Sequence, residues 1–273
     1  MPDWVAVIIL GVIEGITEFL PISSTGHLLL AEQWLGTRDE YFTIFIQSGA
    51  VLAVIAVFRK RIGHLLRNWR EPEEQDYLKK LCFSFVLTGL GGLGMKRLGW
   101  ELPSESTPIA WALLIGGVMF IAFEMRQKKK GDSAPAEKET VQITWALAAA
   151  FAAGQLLAMA FPGASRSGAT ILIGILLGMS RRSAVEFSFL LGVPTLLAAG
   201  VYELASALKK DPSAVQDQWG MLLLGTLVSA ATAFLAVKWL LGYLQKNTFV
   251  AFGWYRVALG IAVLALGAKA AAG

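Results

Sequence analysis

Two short stretches gather the chemically capable residues of an otherwise apolar chain. Glu14 and Glu18 stand four residues apart, so on a helix both carboxylates leave one face, about 40° apart. Their neighbours are Val12-Ile13, Ile16 and Phe19-Leu20, and an ionised group in the middle of such a helix costs about 2.5–3.5 kcal/mol on the milder insertion scale. The pair is tolerable if it binds a cation, shares a proton or faces water; a helix lying at a wet interface would also carry it. Pro21-Ile-Ser-Ser-Thr-Gly-His27 follows and leads into Leu28-Leu-Leu-Ala31. Ser or Thr ahead of an apolar run is an N-cap pattern, and the free N–H groups and positive dipole end of the helix it starts attract anions. Ser165-Arg-Ser-Gly168 before Ala169-Thr-Ile-Leu172 repeats the pattern in the second half. Arg166 within it needs a counter-charge, which Glu14, Glu18 or a substrate phosphate would supply.

The candidate catalytic residues are therefore Glu14, Glu18, Ser24, His27 and Arg166. His27 lies three residues beyond Ser24, where it serves either as a general base or as a hydrogen-bonded structural residue. Candidate binding residues are Ser23, Thr25 and Gly26 of the first stretch, Gly163, Ser165, Ser167, Gly168 and Thr170 of the second, and Gln47 inside an apolar run. Two histidines and one cysteine, widely separated, exclude a His/Cys metal site. A hard divalent cation, Mg2+ or Ca2+, held by Glu14, Glu18 and phosphate oxygens is left open. Glu186 reads as a brace for Arg181 and Arg182, and His64 as a solvated residue of a basic loop.

The elements that must position these groups are membrane spans. The 273 residues are 55% hydrophobic and 16% charged, with a mean hydropathy of +0.58. Soluble domains carry about a quarter charged residues. Apolar segments fall at 4–20, 27–36, 42–58, 81–98, 108–125, 143–161, 169–180, 185–206, 219–240 and 250–271, several near the length of about 20 residues that crosses a bilayer. The first lacks a basic n-region and a small-residue cleavage site, so it is not read as a removed signal peptide. The net charge of +4 sits mostly in loops, where it reads as a topology signal and not as nucleic-acid binding.

Two pairs, 4–20 with 27–36 and 143–161 with 169–180, are too short and broken to be full spans. Each is interrupted by a Pro/Ser/Gly cluster, and irregular backbone at membrane depth survives only within protein or a wet cavity. Both are expected to be re-entrant helical hairpins. They also read as copies: Pro21 with Pro162, Glu14 with Gln155 and Ser24 with Ser165 share one offset near half the chain. Phe45-Ile-Gln-Ser-Gly49 similarly resembles Phe189-Leu-Leu-Gly192. The basic clusters Arg59–Lys80 and Arg126–Lys138 are expected in the cytoplasm, with Arg181-Arg182. That inverts the two repeats and makes their turns meet mid-membrane. The expectation is an all-α membrane domain with about six transmembrane helices, both termini outside. Its repeats cover about 1–125 and 143–273, joined by a cytoplasmic linker at about 126–142. Lys209-Lys210 falls outside, against the charge rule.

The stretches Glu14-Gly-Ile-Thr-Glu-Phe-Leu-Pro-Ile-Ser-Ser-Thr-Gly-His27 and Pro162-Gly-Ala-Ser-Arg-Ser-Gly-Ala-Thr170, with Glu186-Phe-Ser-Phe-Leu-Leu191 and Pro194, resemble the signature motifs of the bacterial undecaprenyl-pyrophosphate phosphatases of the bacitracin-resistance type. One departure is Thr88-Gly-Leu-Gly-Gly-Leu-Gly-Met95, where the family usually has an Ile-Pro-Ala-like stretch. The resemblance implies hydrolysis of undecaprenyl pyrophosphate to the monophosphate, recycling the lipid carrier of peptidoglycan synthesis. It also implies the bacterial inner membrane as location and a site open to the periplasm. Joined to the residue reading, it suggests Ser24 attacking phosphorus, Arg166 stabilising charge, Glu18 or His27 taking the proton, and Glu14 holding a cation or orienting the base. Water or His27 as nucleophile stays open, as does a homo-oligomer.

A transporter or flippase of a phosphorylated lipid or small anion is the rival, since broken helices in inverted repeats serve carriers too. The combination of Glu pair, Ser, His and Arg favours the enzyme, because a carrier has less use for a nucleophile beside a base.

Overall fold

The computed structural model describes residues 1–100, 106–129 and 142–272, so most of the expected linker, with Lys130 and Lys138, lies outside the described residues. The described chain is helical: α1 Asp3–Thr17, α2 Ser24–Leu35, α3 Glu40–Val57, α4 Arg59–Arg67, α5 Pro72–Arg97, α6 Ser106–Lys129, α7 Trp145–Ala160, α8 Arg166–Leu176, α9 Arg181–Lys210, α10 Pro212–Tyr243 and α11 Val250–Ala272. Among them α5, α6, α9, α10 and α11 are each long and apolar enough to cross a membrane, and α3 joined to α4 across a 70° bend makes a sixth. This is an integral membrane fold.

The hairpins form as the broken segments require. Arg38, just beyond α2, pairs with Asp3 at the start of α1, so the first hairpin returns to the end where it began. In the second, a side chain at Gly174 near the end of α8 would meet the ring of Phe151 early in α7, 2.8 Å from Cζ. The two hairpins enter from opposite ends. Arg61 of α4 binds Glu186 at 3.1 Å, and Arg181 donates from Nε to Glu124 of α6 at 3.0 Å, which gathers both basic regions and the start of α9 at one end. The second hairpin opens there, leading from Leu176 into Arg181. At the other end, Lys96 donates to Tyr202 at 2.9 Å, and Phe45 packs edge-on against Trp219, centroids 5.9 Å apart.

Packing repeats with exchanged halves. α1 lies on α10 as α7 lies on α5, while α3 meets α9 and α6 meets α11. Lys209 and Lys210 occupy the last turn of α9, where cations complement the negative dipole end. The segment after 58, expected as loop, is helix α4: Leu65 is buried while Arg59 and Lys60 are exposed, so an amphipathic turn pattern orders it. The glycine-rich departure does not break α5, whose helix runs through Gly89–Gly94. There the lost side chains admit α7: a Cβ at Gly91 would meet Leu156 at 2.6 Å, and one at Gly92 would meet Met159 at 3.1 Å.

Candidate active site

Each hairpin turns on a proline. α1 is capped by Glu18 and α7 by Phe161, and Pro21 and Pro162 then prevent helix continuation, lacking an N–H and restricting the residue before them. Each chain re-enters helix through a serine N-cap. Ser23 (φ 72, ψ 103) accepts from Gly26 N–H at 3.4 Å, and Ser165 (φ 68, ψ 114) from Gly168 N–H at 3.1 Å. These are the non-glycine residues of positive φ among the described residues. A residue held in such a conformation costs on the order of 1–3 kcal/mol and persists only where its surroundings enforce it.

This geometry corrects the expected alignment. Ser165 corresponds to Ser23, and Arg166 to Ser24, because the second turn has one more residue between its proline and its N-cap. The longer turn includes Gly163, at φ 95, whose missing Cβ lets the backbone of Ile109 approach. Ser24 and Arg166 therefore open α2 and α8 as first helical residues.

Both meet on one carboxylate. Ser24 Oγ donates to Glu18 Oε2 at 2.9 Å, and Arg166 Nη2 donates to Glu18 Oε1 at 3.1 Å. Arg166 also lies over the Phe19 ring, 5.1 Å from its centroid, and reaches Ser188 O at 3.4 Å. The guanidinium occupies the space left at Gly192 of α9, where an added Cβ would stand 2.9 Å from Arg166 Cζ. A cavity of about 190 Å³ opens over these groups, with Glu18, Ser24, Arg166 and Gln47 in its wall and Ser23, Thr25, Gly163 and Ser165 around the turns. That is room for several waters. The first N–H groups of two helices lack intrahelical partners here, beside an arginine. The arrangement can bind an anion, and it presents a hydroxyl hydrogen-bonded to a carboxylate.

The remaining expected residues lie behind this wall. Ser167 Oγ donates to Leu20 O at 3.1 Å, stitching the second hairpin to the first. Thr170 lies 2.6 Å from Ser188 Oγ. Gly26 packs on Leu113, and Gly168 is buried beside Ser165. His27 stands outside the cavity lining: Nδ1 contacts Ser23 O and Nε2 contacts Tyr255 Oη, each at 2.7 Å. Glu14 is 0% exposed, and neither carboxylate oxygen has a hydrogen-bond partner. Glu18 N–H still bonds Glu14 O at 2.9 Å, so the helical register that stacks the two side chains is kept.

Three further polar residues line the cavity that the chemical reading of the sequence had not assigned to it. Gln155 Nε2 donates to Thr88 Oγ1 and Thr195 Oγ1 donates to Gln155 Oε1, both at 3.1 Å. Their shared signal is a hydrogen-bonding side chain inside an apolar span, the same signal that singled out Gln47. Among the described residues no group of three or more His, Cys, Asp or Glu forms a metal cage. The oxygens of Glu14 lie one turn from Glu18 with no hydrogen-bond partner, outside the cavity lining.

A membrane protein whose two broken helices deliver a serine, a carboxylate and an arginine to one small cavity belongs to the class that handles phosphorylated lipids or anions at the bilayer. The sequence profile of the family described as Bacitracin resistance protein BacA matches residues 7–262, and the chain belongs to that family. It is 49% identical to the undecaprenyl-diphosphatase of Rhizobium etli over 265 residues, 97% of each chain. It is 43% identical to that of Xylella fastidiosa, covering 94% of this chain and 96% of the relative. With the undecaprenyl-diphosphatase of Xanthomonas oryzae pv. oryzae it shares 43% identity over the whole of both chains.

Proposed function

We infer that this protein is an undecaprenyl-diphosphatase, hydrolysing undecaprenyl pyrophosphate to undecaprenyl phosphate and phosphate. The observation that carries the mechanism is the Ser24–Glu18–Arg166 arrangement. The cavity suits a diphosphate headgroup and is far too small for a long prenyl chain, so the tail stays in the bilayer. On binding, Arg166 exchanges Glu18 for non-bridging phosphoryl oxygens, which the free N–H groups at the starts of α2 and α8 also face. Ser24 Oγ attacks the terminal phosphorus and its proton passes to Glu18. The bridging P–O bond breaks and undecaprenyl phosphate leaves. Water then attacks the phosphoserine and the P–Oγ bond breaks. Glu18 returns its proton to Ser24 Oγ, and the water oxygen leaves in the released phosphate with its own proton. Charge stabilisation of the phosphoryl oxygens is the dominant need of such a transfer.

His27 holds the Ser23 carbonyl and Tyr255, so its place favours orienting the turn over taking the proton. Glu14 with Glu18 would hold a divalent cation, Mg2+ or Ca2+, which when bound neutralises charge on the phosphoryl oxygens. Gln155, anchored between Thr88 and Thr195, orients the headgroup.

The repeats run over about 1–125 and 143–273. The basic end faces the cytoplasm of a bacterial inner membrane by the positive-inside rule, which opens the other end, with both termini, to the periplasm. This is the setting for recycling a lipid carrier in cell-wall synthesis and for resistance to bacitracin.

The deciding experiment is phosphate release from undecaprenyl pyrophosphate by detergent-purified protein and its Ser24→Ala variant. Release that collapses in the variant supports the mechanism; folded wild-type protein that binds the lipid without releasing phosphate shifts the reading to a carrier.

A further inference from the structure

Arg256 is a whole arginine side chain inside the fold, 0% exposed, on α11. Among the described residues no carboxylate pairs with it. Its Nη donors go to main-chain oxygen instead, while Nε has no partner. Nη1 reaches Pro21 O at 3.4 Å, and Nη2 reaches Ala112 O at 3.2 Å, Gly163 O at 3.2 Å and Ala164 O at 2.9 Å. One guanidinium therefore touches both re-entrant turns and α6, the helix against which α11 packs. Burying an unpaired cation is expensive, so a fold that keeps one requires something of it.

We propose that Arg256 is the positioning residue that ties the two turns together and sets the Ala164–Ser165 peptide plane, and so aims the Ser165 N–H at the phosphates. The N–H groups that follow its other two turn carbonyls, those of Ile22 and Ala164, bond Leu20 O and Phe161 O instead. The role rests on the phosphate-site reading above. A turn that offers N–H groups to an anion on one side must turn carbonyls to the other, where they need donors. A trans peptide holds C=O and N–H antiparallel. Fixing the Ala164 carbonyl on Arg256 therefore directs the Ser165 N–H the opposite way, the side on which Ser165 lines the cavity. Arg256 itself is not in the cavity wall and touches no reacting atom.

The surroundings are shaped for this side chain. Gly116 and Gly117 of α6 leave its room: a Cβ at Gly116 would overlap Arg256 Nη2, and one at Gly117 would stand 3.1 Å from Arg256 Cβ. A Cβ at Gly168, at the start of α8, would lie 3.0 Å from Nη1. Lysine cannot replace the arrangement, because a point ammonium lacks the planar fork that spans oxygens from three segments. Gly116→Ala perturbs the guanidinium without removing it. The overlap falls on the far end of a flexible side chain, so the helix pair can keep its packing.

The test measures inorganic pyrophosphate binding by calorimetry, undecaprenyl pyrophosphate turnover and thermal unfolding, on the full chain in detergent. The variants are Arg256→Gln, Arg256→Lys and Gly116→Ala. A misaimed site loses up to about 100-fold for an ångström of displacement. The expected result is a weakened pyrophosphate affinity that tracks kcat/KM, with Arg256→Lys only partly restored relative to Arg256→Gln. Gly116→Ala should lose affinity while unfolding near the wild-type temperature, and it decides alone if the Arg256 variants do not fold. Unchanged pyrophosphate affinity in folded Gly116→Ala, or activity losses that follow only the unfolding temperature, overturns the proposal. Wild-type protein that binds pyrophosphate but releases no phosphate, with binding weakened in Gly116→Ala, instead overturns the hydrolase reading and keeps this one.

Discussion

Ser23 and Ser165, from opposite halves of the chain, hold nearly the same strained backbone, φ 72 with ψ 103 and φ 68 with ψ 114, and each caps the helix that follows. Their side chains each accept from an N–H three residues on. Strain of this kind collects at functional sites. Here its effect is to bring Ser24 and Arg166, the next residues, to the same carboxylate.

Glycine at either position relieves the strain and alanine keeps it, while both remove the cap. Ser165→Ala should therefore be less stable than Ser165→Gly, with the strain itself worth about 1–3 kcal/mol. Unfolding midpoints of the two variants in one detergent measure the difference, and equal midpoints would show that the backbone there relaxes freely.

Glu18→Gln removes the proton acceptor beside Ser24 while leaving a side chain of the same size. General-base loss should lower kcat by about 10²–10⁴-fold. His27→Gln should cost less, since that ring contacts Ser23 O and Tyr255. Steady-state phosphate release on both variants checks the order, and a larger loss at His27 would reassign the base.

Gly192→Ala places a methyl group against the Arg166 guanidinium. Displacing an aimed cation should reduce kcat/KM by up to about 100-fold, with little effect on the unfolding temperature because the flexible arginine can move aside. Wild-type kcat/KM in this variant would mean that Arg166 works from another position.

Chelator should suppress activity, and added Mg2+ or Ca2+ should restore it. In Glu14→Gln the cation concentration for half-maximal activity should rise. A cation titration identical to wild type would remove Glu14 as a ligand, and Glu14 would then remain as a buried group with both oxygens unpartnered.

Gln155→Leu breaks both bonds of the Thr88–Gln155–Thr195 chain, while Thr88 and Thr195 keep their hydrogen bonds to Ser84 O and Leu191 O. Each neutral hydrogen bond lost costs about 0.5–1.5 kcal/mol. The loss should appear mainly as a higher KM, since Gln155 touches neither Ser24 nor Glu18 by hydrogen bond. A fall confined to kcat would instead place Gln155 in the chemical step.

The spans, the two broken hairpins and the polar residues brought to the cavity were legible in the sequence. Each is a local property: apolar runs near bilayer length, a proline and serine cluster interrupting them, and ionisable residues where apolar ones belong. The same locality limited the alignment of the turns. A one-residue insertion is invisible until φ 95 at Gly163 shows where the longer turn absorbs it. Arg256 was readable in principle as a cation inside the span 250–271, yet nothing in sequence tells which carbonyls it meets. That the Ser24 hydroxyl bonds Glu18, and not His27, could be seen in the folded chain alone. Both lie within one short stretch, and the outcome depends on which way the strained cap at Ser23 turns α2. That direction is set by residues far along the chain, through Ser167 on Leu20 O and Arg256 on Pro21 O.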